Sequence, residues 1–150
     1  MKKKIVLIAC ASKKGELKAK AKDLYISPLF KMSLEYASKQ KPDKIFILSA
    51  LYHLLDLDKE IEPYNVTLSY VPKAKKTLEL KILNSKEKED WGEKVVEQLA
   101  KQTDLQNDEF IFLAGEVYIK PLKNSIVDFK NPLKGKTQGK RLQFLNKNCQ

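Results

Sequence analysis

The sequence predicts an α/β fold, a three-layer α/β/α sandwich around a short, mainly parallel central sheet. Three apolar runs, at 4–9, 44–49 and 110–114, are rich in β-branched and aromatic residues, as buried strands are. Helical patterns separate these runs, and strands that alternate with helices are typical of parallel sheets with right-handed crossovers. A length of 150 residues, of which 43% are hydrophobic, predicts one domain, 1–150, with its own core.

Four helices are predicted, over 28–40, from Ser85 onward, over about 116–127, and from 137 or 138 to about 146. Ser27 is placed to cap the first of them, and Pro28 suits its first turn because a proline there loses no hydrogen bond. Ser85 is the predicted N-cap of the second helix, whose buried face includes Trp91.

The connections between these elements are long. Residues 10–27 are predicted as a loop, and 50–72 as an irregular excursion that Leu54, Leu55 and Leu57 pack against the core. Residues 73–84 fit neither a helix nor a strand.

Positive charge is concentrated in two segments. The formal net charge is +10; residues 1–22 hold eight Lys and one Glu, and residues 129–150 hold five Lys, one Arg and no acid. Such basic surfaces favour phosphate-bearing partners, so nucleic acid or a nucleotide is the expected partner. A Lys-rich surface that is merely solvated is the alternative.

Cysteine and histidine are scarce. Cys10 and Cys149 make no disulfide framework, which favours a reducing, cytoplasmic location. The apolar run at 4–9 is too short for a signal peptide or a membrane span, so no membrane association is expected. One His and two distant Cys make no usual zinc set, and no dinucleotide fingerprint is visible, so no metal and no cofactor are predicted.

The polar loop after the first strand is the first candidate site. Its residues Cys10, Ser12, Lys13 and Lys14 stand beyond the carboxyl end of a strand, where ligands bind in open α/β sheets. Ser12 and the Lys pair are predicted to hold a phosphate. Lys13, with a pKa lowered by its Lys neighbour, is a candidate nucleophile toward a sugar C1′. The alternative is a polar loop around a small buried Cys.

Polar and aromatic residues also follow the second strand. Ser49 is a candidate hydrogen-bond donor to a base, and Tyr52, His53 and Tyr64 offer flat rings on which an extruded base stacks. Thr67 is a candidate to contact base edges. An Ω-like loop packed by its own aromatic rings is the alternative.

Two carboxylates, Asp23 and Glu116, are candidate general bases for water. Asp23 equally suits helix capping, and Glu116 equally suits the first turn of a helix. Gly115 precedes that turn, and its backbone N–H predicts an anion site at the helix N-terminus. Tyr118 in the same turn is a further substrate-binding candidate.

A basic segment lies further along the chain, after the third predicted strand at 110–114. Lys134, Lys136, Lys140 and Arg141, with two glycines among them, are predicted to form a flexible loop that holds a nucleic-acid backbone. A solvated terminus is the alternative.

Seven motifs occur in order along nearly the whole chain. They are Cys10 to Lys14, Ala21 to Phe30, Ile47 to Ala50, Pro63 to Leu68, Trp91-Gly92, Ala114 to Tyr118, and Pro132 to Gly139. This series resembles the pattern of a small bacterial and phage domain family of unknown function. After Ser49-Ala50 that family commonly has Lys-(His/Tyr)-Gly-Leu, whereas this chain has Leu51-Tyr52-His53-Leu54. His53 therefore replaces a Gly, a residue type suited to an unusual φ.

The family pattern is in turn distantly similar to the uracil-DNA-glycosylase-like superfamily. It especially resembles the branch that accompanies archaeosine-type tRNA modification, which also carries a Cys-Ser-rich loop after its first strand. This resemblance implies an α/β/α fold that acts on a nucleobase.

These patterns together predict a nucleobase-directed enzyme that cleaves or exchanges an N-glycosidic bond in DNA or RNA. Donors such as Ser12, Ser49 and Tyr64 are expected to stabilise the departing base anion. Two alternatives stay open, a nucleic-acid- or nucleotide-binding module without catalysis and a small-molecule nucleoside enzyme of modified-purine metabolism. Completion of the site by a partner protein or by a second copy of the chain is also open.

Overall fold

The centre of the protein is a five-stranded, mostly parallel sheet. The computed structural model describes residues 2–11, 13–69, 71 and 79–149. The strands are β1 (Lys4–Ala9), β2 (Ala19–Lys20), β3 (Lys44–Ser49), β4 (His53–Asp56), β5 (Glu60–Ile61), β6 (Val66–Thr67), β7 (Lys81–Ile82), β8 (Glu109–Leu113) and β9 (Phe129–Lys130). The helices are α1 (Ala21–Leu24), α2 (Pro28–Lys39), α3 (Ser85–Gln102), α4 (Glu116–Ile119) and α5 (Gln138–Asn148).

The strand order of the central sheet is β4-β3-β1-β8-β9. Strands β3, β1, β8 and β9 run parallel, and β4 pairs antiparallel with β3 at the edge. The predicted mainly parallel sheet is confirmed. The edge strands β4 and β9 are short and were not expected from the apolar runs. Two small two-stranded sheets, β2–β5 and β6–β7, lie outside the central sheet.

The direction of chain progress across the sheet reverses at β1. The chain passes from β1 to β3 through α2, and then from β3 to β8 through α3, on the other side of β1. The gap between β1 and β8 is therefore a topological switch point, the place where open α/β sheets bind ligands.

Both faces of the central strands are covered. Every residue of Ile5–Ile8 in β1 and of Phe110–Leu113 in β8 is buried, as parallel strands are when elements pack on both sides of the sheet. Helix α2 packs on β1, and α5 packs on α2. Helix α3 contacts β4, and its Trp91 ring meets the ring of Tyr118 in α4 at 5.7 Å.

The N-cap of α2 agrees with the sequence prediction, and the N-cap of α3 differs from it. Ser27 caps α2 as predicted, and its side chain accepts a hydrogen bond from the Phe30 N–H. The prediction of Ser85 as the cap of α3 was wrong. Asn84 caps this helix, and its side chain accepts from the Glu87 N–H while the Glu87 carboxylate accepts from the Asn84 N–H. The sequence therefore carries a capping box one residue earlier than expected.

The predicted helix over 116–127 was also wrong, because α4 ends at Ile119. Pro121 has no N–H for the next helical hydrogen bond, and its ring clashes with a helical carbonyl four residues earlier. The chain instead turns and forms a short 3₁₀ helix at Lys123–Ser125. Among the described helices, none has both the length and the apolar composition needed to cross a bilayer.

The long connections contain more structure than predicted. The segment 10–27 includes β2 and α1 and is closed by an antiparallel bridge between Lys14 and Tyr25. The excursion over 50–72 contains β4, β5 and β6. Residues 73–78, half of the segment 73–84, lie outside the described residues.

Candidate functional site

A pocket of about 260 Å³ opens at the switch point, over the carboxyl ends of β1 and β8. Its wall combines residues that directly follow these strands with residues from the first turns of α2 and α5. Its lining includes Cys10, Ser33, Gly115, Tyr118 and Arg141. We call this cavity the switch-point pocket.

Arg141 supplies the positive charge of the switch-point pocket. Its Nε donates to the Lys136 carbonyl at 3.1 Å, and its Nη atoms lie against the Cα face of Gly115. None of the ion pairs between described residues includes Arg141. The sequence predicted Arg141 both in a helix that starts at 137 or 138 and in a flexible basic loop. The structure places it on α5, where it forms part of the pocket wall.

Cys10 and Tyr118 meet in the wall of the pocket. The Cys10 Sγ lies 3.4 Å from the Tyr118 hydroxyl, and the Thr67 side chain is near the same hydroxyl. Burial raises the pKa of Tyr118 above its usual range, and the nearby Cys10 raises it further. Tyr118 is therefore a neutral hydroxyl at physiological pH. The structure thus brings together Cys10, Thr67, Gly115 and Tyr118, four of the predicted binding residues.

Three buried hydroxyls form a second group, which we call the hydroxyl cluster: Tyr25, Ser49 and Tyr64. The Ser49 hydroxyl donates to the Tyr64 oxygen at 2.7 Å, and the Tyr64 and Tyr25 oxygens are 2.6 Å apart. The cluster is held by the Trp91 Nε1–H, which donates to the Ser49 carbonyl at 2.8 Å. Burial raises the pKa of Tyr64 and Tyr25, so both phenols keep their protons. The three hydroxyls of the cluster therefore hydrogen-bond to one another within the protein interior.

Lys14 lies on the hydroxyl cluster. Its Nζ is 4.3 Å from the centre of the Tyr64 ring and 5.7 Å from that of Tyr25, both within cation–π range. Burial lowers the pKa of Lys14, and the negative charge that Cys10 can carry acts in the opposite direction. The sequence placed a lowered pKa on Lys13 and attributed it to a Lys neighbour. In the structure Lys13 is exposed, whereas Lys14 is half-buried, and burial lowers the pKa of Lys14.

We expect the Lys14 amine to lose its proton at a lower pH than an ordinary Lys side chain, whose pKa is about 10.4. The stability gained from the neutral amine is then present above about pH 10.4 and is lost as the pH falls through the lower pKa of the folded state. The check is an NMR titration of ¹³C-methylated lysines, in the folded and the urea-unfolded chain. The Lys14 signal is assigned by its loss in Lys14→Arg. A folded midpoint at or above the unfolded one would contradict the burial argument.

A family model matches residues 5–147 of the chain. The chain belongs to the DUF6884 family, which is described as a family of unknown function. The prediction that it is a member of a family of unknown function is confirmed at that level. No curated protein and no solved structure matches the chain.

His53 has an unusual backbone conformation. Its φ is +67°, in the left-handed region that glycine adopts without strain. The side chain is half-buried, and burial together with the charge of Lys94 lowers its pKa. A stacking role for His53 stays a prediction.

Several candidate residues lie away from the switch-point pocket. Asp23, Lys13, Lys134 and Lys140 are exposed, and the Lys136 Nζ lies 5.1 Å from the Phe144 ring centre. Glu116 is exposed and lines a separate groove of about 920 Å³ between α3 and α4. The Tyr52 hydroxyl donates to the Glu62 carbonyl at 3.3 Å. Ser12 lies outside the described residues. Catalysis by Lys13, Asp23 or Glu116 stays a prediction.

Two contributors to this region were missed from the sequence. Tyr25 belongs to the Ala21 to Phe30 motif, but its hydroxyl role depends on contact with Tyr64, 39 residues away. Ser33 is a polar residue three positions after Phe30 on the buried face of α2, and that placement was the available signal.

Within the described part of the chain, no three side chains of metal-binding type come together.

Proposed function

We propose that this protein is a nucleobase-directed enzyme that cleaves or exchanges an N-glycosidic bond, with its substrate held at the switch-point pocket. The observation that carries the proposal is the position of this pocket at the β1/β8 switch point, where doubly wound α/β proteins bind nucleotides. Phe30 lines the pocket and its ring packs on that of Tyr25 at 5.0 Å, while the Lys14 Nζ lies 5.7 Å from the Tyr25 ring centre. The Tyr25 ring therefore connects the Lys14 amine to the wall of the pocket.

The reaction sets the chemical demand on this region. The bond between C1′ and the base nitrogen breaks with its electron pair moving to the base, and a water oxygen or the nitrogen of an incoming base bonds to C1′. The departing base is stabilised by a proton or by hydrogen-bond donors. Lys14 suits proton donation, because a lowered pKa makes its ammonium group a stronger acid than that of an ordinary Lys. Tyr118 suits hydrogen-bond donation, because burial keeps its hydroxyl protonated.

The proposal includes the fold relationship that the motifs imply. Four parallel strands, with both faces of the central strands covered, support a uracil-DNA-glycosylase-like α/β/α sandwich.

A small-molecule nucleoside enzyme is the second candidate, and the volume of the pocket favours it. The switch-point pocket measures about 260 Å³, just below the range of roughly 300–1,000 Å³ that is usual for ligand sites. Such a cavity has room for about one nucleotide.

The test is a base-release assay. The purified protein is incubated with single- and double-stranded DNA and RNA, and with free nucleosides and nucleotides, each with normal and modified bases. Mass spectrometry then detects any released base. We expect release from one substrate class, reduced by about 100-fold or more in Lys14→Met, since a proton-transfer group contributes roughly 10²–10⁴-fold. Lys101→Ala, an exposed change on α3, is the matched control and is expected to keep full activity.

The substrate class that releases its base separates the two candidates. Release from oligonucleotides supports action on DNA or RNA, and release from free nucleosides or nucleotides alone supports the second candidate. Binding that weakens with salt, without release from any substrate, would contradict both and indicate a non-catalytic binding module.

A further inference from the structure

We propose that the switch-point pocket binds a terminal phosphate through Arg141, so that the substrate is a nucleotide carrying a phosphomonoester. This inference rests on the proposed function and names the substrate class of the same site. Arg141 lines the pocket, is half-buried, and takes part in none of the ion pairs between described residues. A partly desolvated guanidinium beside a cavity favours an anion that accepts two parallel hydrogen bonds.

The wall around Arg141 contains no opposing charge. None of the described residues that line the pocket is an Asp or a Glu. Arg141 is the one charged residue among the described residues that line the pocket. The charge of the described wall is therefore positive.

Two helices begin at the pocket. Helix α2 starts at Pro28 and contributes Leu29 to the lining, and α5 starts at Gln138, which also lines the pocket. Ser27 and Thr137 cap these helices and already accept from the Phe30 and Lys140 N–H groups. The contribution of the two helix starts to a phosphate beside the guanidinium is therefore the positive end of the helix dipole.

Ser33 adds a polar group to the wall of the pocket. This residue is 2% exposed and lines the pocket. Its hydroxyl is a hydrogen-bond donor for a phosphate oxygen held in the cavity.

The size of the cavity favours a terminal phosphate over an internal one. A phosphodiester brings a nucleotide on each side of the phosphorus, and a volume of about 260 Å³ does not hold two nucleotides. A monoester also carries about −1.5 to −2 charges near neutral pH, more than the single charge of a diester. The positive wall therefore favours the monoester.

Isothermal titration calorimetry tests this inference with nucleoside 5′-monophosphates, the matching nucleosides and inorganic phosphate. We expect at least one nucleotide to bind about tenfold or more tightly than its nucleoside, as one charge-assisted contact predicts. Arg141→Gln is expected to abolish this difference, and Arg141→Lys to keep only part of it because Lys lacks the two-pronged geometry. Lys147→Gln removes the same charge from an exposed position of α5 and is expected to bind like the original protein. Circular dichroism confirms that each variant is folded.

The outcomes separate this inference from the proposed function. Equal binding of nucleotide and nucleoside, with base release intact, would overturn the phosphate site alone. Arg141-dependent nucleotide binding without base release would support the phosphate site and overturn the proposed enzyme. Oligonucleotides with a 5′-phosphate or a 5′-hydroxyl distinguish the source of the phosphate. Tighter binding of the 5′-phosphorylated oligonucleotide supports recognition of a terminal phosphate within nucleic acid. An affinity that depends on oligonucleotide length and not on the 5′-phosphate would overturn the inference.

Discussion

Gly92→Ala is expected to lower the free energy of unfolding by about 1–3 kcal/mol, the usual effect of overpacking. A Cβ at this position would lie 2.6 Å from the Pro121 Cβ and 2.9 Å from the Pro121 carbonyl oxygen. The second contact is with backbone, so a side-chain rotation cannot relieve it. Alanine otherwise favours a helix interior over glycine by about 1 kcal/mol. The destabilisation from the clash must exceed this gain for Gly92→Ala to be less stable than the original protein.

The matched control is Gly139→Ala, in the first turn of α5. A Cβ there meets nothing within 4 Å, so we expect the free energy of unfolding to rise by up to about 1 kcal/mol. Urea unfolding followed by circular dichroism measures both variants. Opposite signs confirm that α3 docks on the segment after α4 through a close approach at Gly92. A stabilised Gly92→Ala variant would contradict this packing, which holds α4 and Tyr118 beside the pocket.

Tyr64→Phe is expected to cost about 1–3 kcal/mol, because it removes a buried partner of two other hydroxyls. The Tyr64 oxygen hydrogen-bonds both Ser49 and Tyr25, and all three residues are buried. Tyr52→Phe is the control, since it removes only the 3.3 Å hydrogen bond to the Glu62 carbonyl. Its expected change is within about 0.5 kcal/mol. Equal effects of the two variants in urea unfolding would show that the hydroxyl cluster does not stabilise the fold.

The Tyr64→Phe variant is also expected to change how stability depends on pH. Burial raises the pKa of Tyr64, so the folded chain keeps a proton that the unfolded chain releases near pH 10. The stability associated with this proton is fully present below about pH 10 and is lost as the pH rises above it. Tyr64→Phe is therefore expected to reduce the alkaline loss of stability. An unchanged alkaline profile would contradict the assignment.

Local signals in the sequence predict much of the fold. The three apolar runs correspond to β1, β3 and β8 within one residue at each end, because strands buried on both faces need no polar alternation. The start of α2 follows from Ser27 and Pro28. The end of α4 was missed, although Pro121, a helix breaker, stood inside the predicted helix.

The sequence predicted candidate residues at strand ends but not the contacts between them. Ser49 ends β3, while Cys10, Gly115 and Tyr118 follow β1 and β8, and parallel strands bring these ends to one edge of the sheet. Burial is what distinguishes Lys14 from Lys13, and adjacent residues carry no sequence signal for it. Arg141 reaches Gly115 only because α5 packs on α2, a contact between distant segments. Such long-range packing decides which charges enter a pocket.

The most direct test of the switch-point pocket is an NMR titration of ¹⁵N-labelled protein with the tightest-binding nucleoside or nucleotide. We expect the largest saturable shifts at the backbone amides of Gly115 and Ser33 and at the Arg141 Nε–H, all around this pocket. Glu93, Glu97 and Asn124 report on the larger groove between α3 and α4. Shifts confined to the groove residues, with Gly115 and Arg141 unchanged, would contradict the placement of the substrate at the β1/β8 switch point.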